Sequence, residues 1–399
     1  MLRRYAPAVL CACALAALSH TSGIPVARAS TPSVALASTP SVARASTPAV
    51  SRVVSTFFRA GGALSPSNAG TTAGASGQNA RATTPAEYRP RVGVYVWGKL
   101  AGDLSAALTD IQRLGSTGVA RIAISPTWDP SGKPDTAPLD VKVRRADYHA
   151  FVTAFPVVML TAYDAASNER YKWGRLDAPH LAATRDEFRR FTLELAKTPG
   201  RKIVSNWEFE NDCPGNQWPS CIEYYQARLD GIAEGRRQAK AQGLPGEVLS
   251  AFEFTIVPGF AGRPSGLADA ATKLKGIDFI SYSCWWSIGY DADATKVSKD
   301  FEYAARMLHD FASGKKLTTR IVIGEFGEYW NDHPTSERMK ALADASIANG
   351  VEYLFDWVLY DQPGNKDDHG RDASHFGKYT PARALTPQGK EFQRWFAGR

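Results

Sequence analysis

Eight short apolar segments recur between residues 90 and 399, and amphipathic stretches separate them. The segments are RVGVYVW (91–97), VARIAIS (119–125), PVVMLTA (156–162), KIVSNWE (202–208), VLSAFEFTIV (248–257), IDFISYS (277–283), RIVIGEF (320–326) and VEYLFDW (351–357). Intervening stretches such as ATRDEFRRFTLELAKTPG carry apolar residues at helical spacing. Strands that alternate with helices in this way predict an α/β fold, a (β/α)₈ barrel.

A doubly wound open sheet is the alternative architecture for alternating strands and helices. Such a sheet would need a phosphate-binding fingerprint or a nucleophile elbow directly after a strand. The sequence contains no GxGxxG, GxxxxGK[ST] or GxSxG pattern. The barrel is therefore the favoured prediction.

The positive charge of the chain lies at its N-terminus. The formal net charge is +7. Residues 1–90 contain eight arginines, no lysine and a single acid, Glu87, so they account for the whole imbalance. The neutral remainder argues against a nucleic-acid partner.

The first 88 residues read as export and spacer segments. Residues 1–29 carry two arginines, an apolar run too short to span a bilayer and an Ala-Arg-Ala cleavage site, which together predict a secretory signal peptide. Residues 30–88 contain an ASTPSVAL-type octapeptide repeat and are rich in Ser, Thr, Pro and Ala, which predicts a disordered linker. The linker is either a spacer or stalk, or a passive tail. We expect a secreted, periplasmic or cell-envelope protein without a transmembrane segment after cleavage, and a catalytic domain over residues 89–399.

The cysteines and histidines predict a disulfide and no metal. Cys213 and Cys221 lie eight positions apart around a Pro/Gly-containing loop, and export permits them to form a disulfide. Cys284 is expected to be a buried structural thiol. The seven histidines form no metal-binding pattern, and no cofactor is expected.

Acidic residues follow two of the predicted strands, where the chemistry of such barrels takes place. Glu325 ends the seventh segment between Gly324 and Gly327, and these glycines are expected to leave room for a ligand. Behind the fourth segment, the run NWEFEND contains three acids. Alternation along the strand is expected to place Glu208, Glu210 and Asp212 on one strand face.

Two carboxyl groups that flank a glycosidic bond can hydrolyse it with retention when they lie about 5–5.5 Å apart. Indole rings suit the apolar faces of sugars. The candidate substrate contacts are aromatic and polar residues near the strand ends: Trp97, Arg121, Trp128, Asn206, Asp212, Tyr282, Trp285, Trp357 and Asp361.

Several segments resemble, in order, the strands of the large clan of retaining glycoside hydrolases with (β/α)₈ barrels. They are GVARIAI, IDFISYSCWW, GEFG and FDWVLYDQ, and the resemblance covers about residues 90–399. It implies that Glu325 is the nucleophile, that Arg121 touches it and that Tyr282 or Trp285 approaches it. It also implies that Trp357 forms the floor of the sugar site.

The sequence departs from this clan at strand four, where the clan has Asn followed directly by the acid/base Glu. Here one Trp separates Asn206 from Glu208. Counted from the start of each apolar run, Glu208 lies nearest the level of Glu325. We therefore predict Glu208 as the acid/base, with Glu210 second and Asp212 third.

The function predicted from the sequence is retaining hydrolysis of an oligo- or polysaccharide by a secreted monomer. Two alternatives remain open. One is a non-catalytic carbohydrate-binding protein on a degenerate hydrolase barrel, and the other is a transglycosylase with the same residues.

Overall fold

A computed structural model describes the chain from Thr84 onward in nine ranges: 84–97, 103–124, 135–165, 177–213, 217–259, 262–285, 293–328, 337–364 and 374–397. The predicted signal peptide and residues 30–83 of the predicted linker lie outside these ranges. The last residues assigned to the linker do not belong to it, because Pro85–Tyr88 form a helix. The Tyr88 ring stacks on Trp395 at 5.7 Å and is almost fully buried.

Eight parallel strands form a closed barrel in the order β1 to β8, so the predicted fold class is confirmed. Each strand falls within the apolar segment that predicts it, or extends one residue beyond it. The strands are β1 (Val92–Val96), β2 (Val119–Ala123), β3 (Val157–Thr161), β4 (Arg201–Ser205), β5 (Glu247–Phe254), β6 (Phe279–Ser283), β7 (Ile321–Phe326) and β8 (Tyr353–Asp356).

Helices connect these strands and cover the outside of the barrel. Within the described ranges they are α1 (Pro85–Tyr88), α2 (Leu104–Leu114), α3 (Leu139–Val143), α4 (Ala146–Ala154), α5 (Ala178–Ala196), α6 (Phe209–Asp212), α7 (Trp218–Ala241), α8 (Ala294–Gly314), α9 (Glu337–Ala348) and α10 (Pro387–Ala397). A π turn (Gly266–Ala270) and a 3₁₀ turn (Ala271–Lys273) precede β6. Local signals set the helix ends: Asp103 caps α2 by accepting from the Ala106 N–H at 2.9 Å, and Gly115 ends it at a φ of 86°.

The interior of the barrel is layered. Its lower part is apolar and is filled by inward-facing side chains: Val119, Met159, Ile203, Leu249, Ala251, Phe279, Val322, Tyr353 and Phe355. Nearer the carboxyl ends of the strands, the inward positions become polar and charged: Tyr95, Arg121, Thr161, Glu253 and Ser281. Outward-facing residues pack under the helices in a separate, larger core.

A β-bulge interrupts β7. Tyr282 of β6 pairs with Ile323, but the next residue, Ser283, pairs with Glu325, so Gly324 is the extra residue. Ile323 faces the outer core, and strict alternation would send Glu325 to the same side. Because a bulge shifts the alternation by one residue, Glu325 turns into the barrel.

Cys213 and Cys221 form a disulfide with a Cα–Cα distance of 6.4 Å, as predicted. It ties the end of α6 to the first turn of α7. Cys284 is buried and has a free thiol, also as predicted. Among the described residues, no helix is long and apolar enough to cross a membrane.

Candidate active site

Glu325 lies at the carboxyl end of β7 with only 2% of its surface exposed. The Trp285 indole N–H donates to its Oε2 at 3.2 Å. Its other oxygen, Oε1, lies 4.0 Å from Arg121 Nη1 and accepts no hydrogen bond from any described residue. Oε2 is therefore fixed by a hydrogen bond, and Oε1 has no hydrogen-bond donor among the described residues.

Arg121 is anchored mainly by Glu253. The guanidinium makes a two-pronged ion pair with this carboxylate, at 2.8 and 2.9 Å, and both side chains are fully buried. It also donates to the Gly324 carbonyl at 2.7 Å and to Thr161 Oγ1 at 2.9 Å. Arg121 thus lies beside Glu325 as a fixed positive charge, and the 4.0 Å ion pair between them agrees with the contact that the resemblance implies.

Glu208 follows β4 by three residues and directly precedes the short helix α6, without a capping hydrogen bond from its side chain. It is 3% exposed, and both carboxyl oxygens are occupied: Ser283 Oγ donates to Oε1, and Asn211 Nδ2 donates to Oε2. Both donors are neutral.

The other two acids of the NWEFEND run face different surroundings. Glu210 accepts three backbone N–H groups, from Thr255 at 2.9 Å, Ile256 at 3.1 Å and Gly266 at 2.7 Å. Glu210 therefore ties α6 to the segment that follows β5.

Asp212 forms a buried cluster behind α6. Tyr163 donates its hydroxyl proton to Asp212 Oδ2, and Tyr225 donates to the same oxygen at 3.3 Å. Burial raises the pKa of Asp212 well above its ordinary value, although the charge of Arg228 lowers it.

The prediction that alternation aligns the three acids on one strand face is wrong. β4 ends at Ser205, and residues 209–212 form a helical turn. Successive side chains of a helix rotate by about 100° instead of alternating, so the acids diverge. This divergence separates Glu208 from Glu210 and Asp212.

The pKa values of Glu208 and Glu325 are both raised. For Glu208 the cause is first burial and then the negative charge of Glu325, and its pKa lies well above the ordinary value. Burial raises the pKa of Glu325 to about 8; Arg121 and Trp285 lower it, and Glu253 raises it. Because Arg121 lies beside Glu325, and no cation among the described residues pairs with Glu208, we expect Glu325 to lose its proton before Glu208 does.

Three indoles, which follow β1, β4 and β8 in the chain, pack together. The Trp97 ring stacks on Trp207 with centroids 6.2 Å apart and lies 5.9 Å from Trp357. Tyr95 packs edge-on against Trp357 at 5.2 Å. A wall of this kind suits the apolar face of a sugar ring.

The two glycines around Glu325 serve the protein's own packing. A Cβ at Gly324 would lie 1.8 Å from Glu253 Oε2, and one at Gly327 would lie 2.7 Å from the Trp357 carbonyl oxygen. The expectation that these glycines leave room for a ligand is therefore wrong, because side chain and backbone atoms already fill that space.

Other predicted contacts lie elsewhere or are engaged with the protein. Tyr282 faces the outer core and stacks on Phe254 at 5.3 Å, because Ser281 and Ser283 occupy the inward positions of β6. Of the two residues that the resemblance offers for the place beside the nucleophile, Tyr282 or Trp285, it is Trp285 that contacts Glu325.

Asn206 and Asp361 bind the backbone. Asn206 exchanges two hydrogen bonds with the backbone of Glu253, at 2.8 and 2.9 Å. Asp361 accepts from the Gly377 N–H at 2.7 Å. Trp128 lies outside the described residues.

Sequence reasoning missed Glu253, Ser283 and Trp207. Glu253 lies in the mostly apolar segment VLSAFEFTIV. An acid at an inward position of a barrel strand is the one signal that could have identified it, since a buried charge requires a partner. Nothing in the sequence connects Ser283 with Glu208.

Solved structures that share this fold include two GH5_18 proteins and an exo-β-1,4-mannosidase. A GH5_18 protein from Bifidobacterium longum subsp. infantis is 14% identical, with a TM-score of 0.52 over 77% of this chain and 79% of that chain. One from B. longum subsp. longum is 18% identical, with a TM-score of 0.51 and the same two coverages. An exo-β-1,4-mannosidase from an Opitutaceae bacterium is 15% identical, with a TM-score of 0.51 over 77% of this chain and 59% of that chain.

No protein-family model and no curated protein sequence matches the chain. The structural neighbours nevertheless confirm the predicted fold, a (β/α)₈ barrel.

Proposed function

We propose that the protein is a secreted retaining glycoside hydrolase that cleaves an oligo- or polysaccharide by double displacement. The observation that carries the proposal is a pair of buried carboxyl groups, Glu325 after β7 and Glu208 after β4, that interact electrostatically at the barrel mouth. The shared fold of the structural neighbours supports it.

Glu325 is the proposed nucleophile. Its Oε1 accepts no hydrogen bond from a described residue, so a lone pair is available to attack the anomeric carbon. Arg121 and the Trp285 N–H both favour the charged form of this carboxyl. The attack forms a glycosyl ester on Glu325 while the bond to the leaving oxygen breaks.

Glu208 is the proposed acid/base. Burial and the charge of Glu325 keep its proton at a pH where an ordinary carboxyl has lost it. It gives this proton to the leaving oxygen. In the second step its carboxylate removes a proton from water, the hydroxide attacks the anomeric carbon, and Glu325 leaves as a carboxylate.

Glu210 is less suited to this role because its oxygens accept three backbone N–H groups. Moving a proton on and off Glu210 would break the contacts that tie α6 to the segment after β5. Asp212 is likewise engaged with Tyr163 and Tyr225.

Chemical rescue distinguishes the acid/base candidates. With an activated aryl glycoside, Glu208→Ala should lower turnover because water attack on the ester loses its base, and azide should restore turnover and yield a β-glycosyl azide from a β-glycoside. Aryl β-mannosides are a natural first substrate to test, since one structural neighbour is an exo-β-1,4-mannosidase. Glu210→Ala is the matched control and should gain nothing from azide. Rescue of Glu210→Ala without rescue of Glu208→Ala would reverse the assignment.

The pH dependence of kcat/KM should reflect the raised pKa of Glu325. This carboxyl must be ionised to attack, and its pKa is raised to about 8. We therefore expect kcat/KM to be lower at about pH 5 than at about pH 8, with the acid limb set by Glu325 and the alkaline limb by Glu208. In Glu208→Gln, assayed with an activated leaving group, the alkaline limb should disappear while the acid limb remains. An optimum of wild-type kcat/KM at about pH 4.5 would contradict the raised pKa values of Glu325 and Glu208.

Export is the remaining part of the proposal. The disulfide between Cys213 and Cys221 is the kind of bond that persists in oxidising compartments outside the cytosol. The signal-peptide pattern over residues 1–29 agrees with it.

A further inference from the structure

Trp207 has a defined position beside the proposed nucleophile, Glu325. It directly precedes Glu208, is 8% exposed and stacks on Trp97. Its backbone N–H donates to the Tyr163 hydroxyl at 2.8 Å, and that hydroxyl donates onward to Asp212. The ring is therefore held both by stacking and through its backbone.

The indole N–H of Trp207 is a buried donor that forms no hydrogen bond with any described residue. It lies close enough to Glu325 to help lower the pKa of that carboxyl, but outside ordinary hydrogen-bond geometry. Buried donors in folded proteins are nearly always paired. An unpaired one beside a proposed nucleophile points to an acceptor on the ligand.

The chemistry of the reacting sugar indicates which of its oxygen atoms would accept this hydrogen bond. Because Glu325 would attack the anomeric carbon, a donor beside its carboxyl lies near that carbon, whose ring neighbours are the ring oxygen and C2. The ring oxygen gains positive charge in an oxocarbenium-like transition state, so a donor there would oppose the reaction. The hydroxyl on C2 accepts a hydrogen bond without that penalty, and bonds to it strengthen in the transition state.

We propose that the Trp207 indole N–H donates a hydrogen bond to the 2-hydroxyl of the sugar bound between Glu208 and Glu325, and so selects sugars with a free hydroxyl at that carbon. The inference rests on the proposed glycosidase function. Asn206 is not available for this role, because its side chain binds the backbone of Glu253.

A substrate-by-variant cycle tests the inference. Trp207→Phe keeps an aromatic ring and removes only the N–H donor. We expect it to lower kcat/KM for the aryl glycoside by about ten- to hundred-fold, and to change kcat/KM for the matching 2-deoxy glycoside by less than about threefold. Trp97→Phe is the control, because it alters the same indole wall without removing this donor. For Trp97→Phe, the ratio of kcat/KM for the aryl glycoside to kcat/KM for the 2-deoxy glycoside should stay at the wild-type value.

A second measurement needs no variant. In ¹⁵N-labelled wild-type protein, one indole N–H proton signal should move downfield when a non-hydrolysable aryl thioglycoside binds. The 2-deoxy thioglycoside should not cause this shift. This readout remains available if Trp207→Phe fails to fold.

The outcomes separate this inference from the proposed function. Equal losses on both substrates in Trp207→Phe, or equal indole shifts with both thioglycosides, would overturn the role of Trp207 while leaving the glycosidase intact. An absence of turnover by the wild-type enzyme on a broad panel of glycosides would instead count against the proposed function. If Trp97→Phe also changed the ratio of kcat/KM between the aryl glycoside and its 2-deoxy analogue, the effect would belong to the indole wall as a whole, and the inference would be overturned.

Discussion

Glu325→Ala should lower kcat for glycoside hydrolysis by a factor on the order of 10⁴–10⁶, because the covalent step loses its nucleophile. The fold should persist, because among the described residues Glu325 Oε1 accepts no hydrogen bond and Oε2 accepts one, from the Trp285 indole N–H. The measurement is steady-state turnover of an activated aryl glycoside, together with a thermal melt of the variant.

Glu234→Ala provides the matched control for this loss. Glu234 lies on α7, on the outer surface of the barrel, and removing its carboxyl should leave kcat unchanged. Azide should partly rescue Glu325→Ala and give a glycosyl azide of inverted configuration, because a small anion then attacks from the face that Glu325 used. Turnover by Glu325→Ala at the wild-type rate would show that another group is the nucleophile.

Glu253→Ala should lower the free energy of unfolding by about 3–5 kcal/mol, since it leaves the Arg121 guanidinium buried without its main counter-charge. Although burial favours loss of the proton, the Glu253 carboxylate keeps the pKa of Arg121 above its ordinary value. The same substitution removes a negative charge that raises the pKa of Glu325, so the acid limb of any remaining activity should move to lower pH. Chemical denaturation and a pH profile measure the two effects.

Two companion variants isolate the buried charge. Ser281→Ala removes a single hydrogen bond to Glu253, which measures 2.6 Å, and should cost only about 1 kcal/mol. The double variant Arg121→Met with Glu253→Leu removes both charges, and should cost less than the sum of the two single changes. If Glu253→Ala were no more destabilising than Ser281→Ala, the ion pair between Arg121 and Glu253 would not be stabilising the polar layer of the barrel interior.

The barrel was predictable from the sequence because its signals are local and repeated. Each strand is a short apolar run, and helical spacing lies between the runs, so every segment reports the same architecture. The disulfide was predictable for a similar reason, since Cys213 and Cys221 are close along the chain.

The direction of individual side chains was harder to predict. A rule of strict alternation fails at the Gly324 bulge, which turns Glu325 inward. It fails again after Ser205, where the chain leaves the strand and α6 sends Glu210 and Asp212 away from Glu208. Both failures occur at strand ends, where one residue more or less reverses the face.

Contacts between side chains on different strands could not be predicted from the sequence. Arg121 and Glu253 are 132 positions apart, and Glu208 and Ser283 are 75 apart. Pattern rules describe neighbours along one element, whereas these contacts depend on the tilt and register of several strands. The sequence could therefore predict acids at the barrel mouth, but not which charge supports Glu325.

Trapping of a covalent intermediate tests the central proposal most directly. A 2-fluoro aryl glycoside with a good leaving group slows both steps and lets the glycosyl–enzyme accumulate. The account predicts that the protein gains the mass of one fluoroglycosyl unit, and that peptide mapping finds it on Glu325. A label on another carboxylate would contradict the assignment of the nucleophile. An unlabelled enzyme that binds its glycan without turnover would indicate a carbohydrate-binding protein instead.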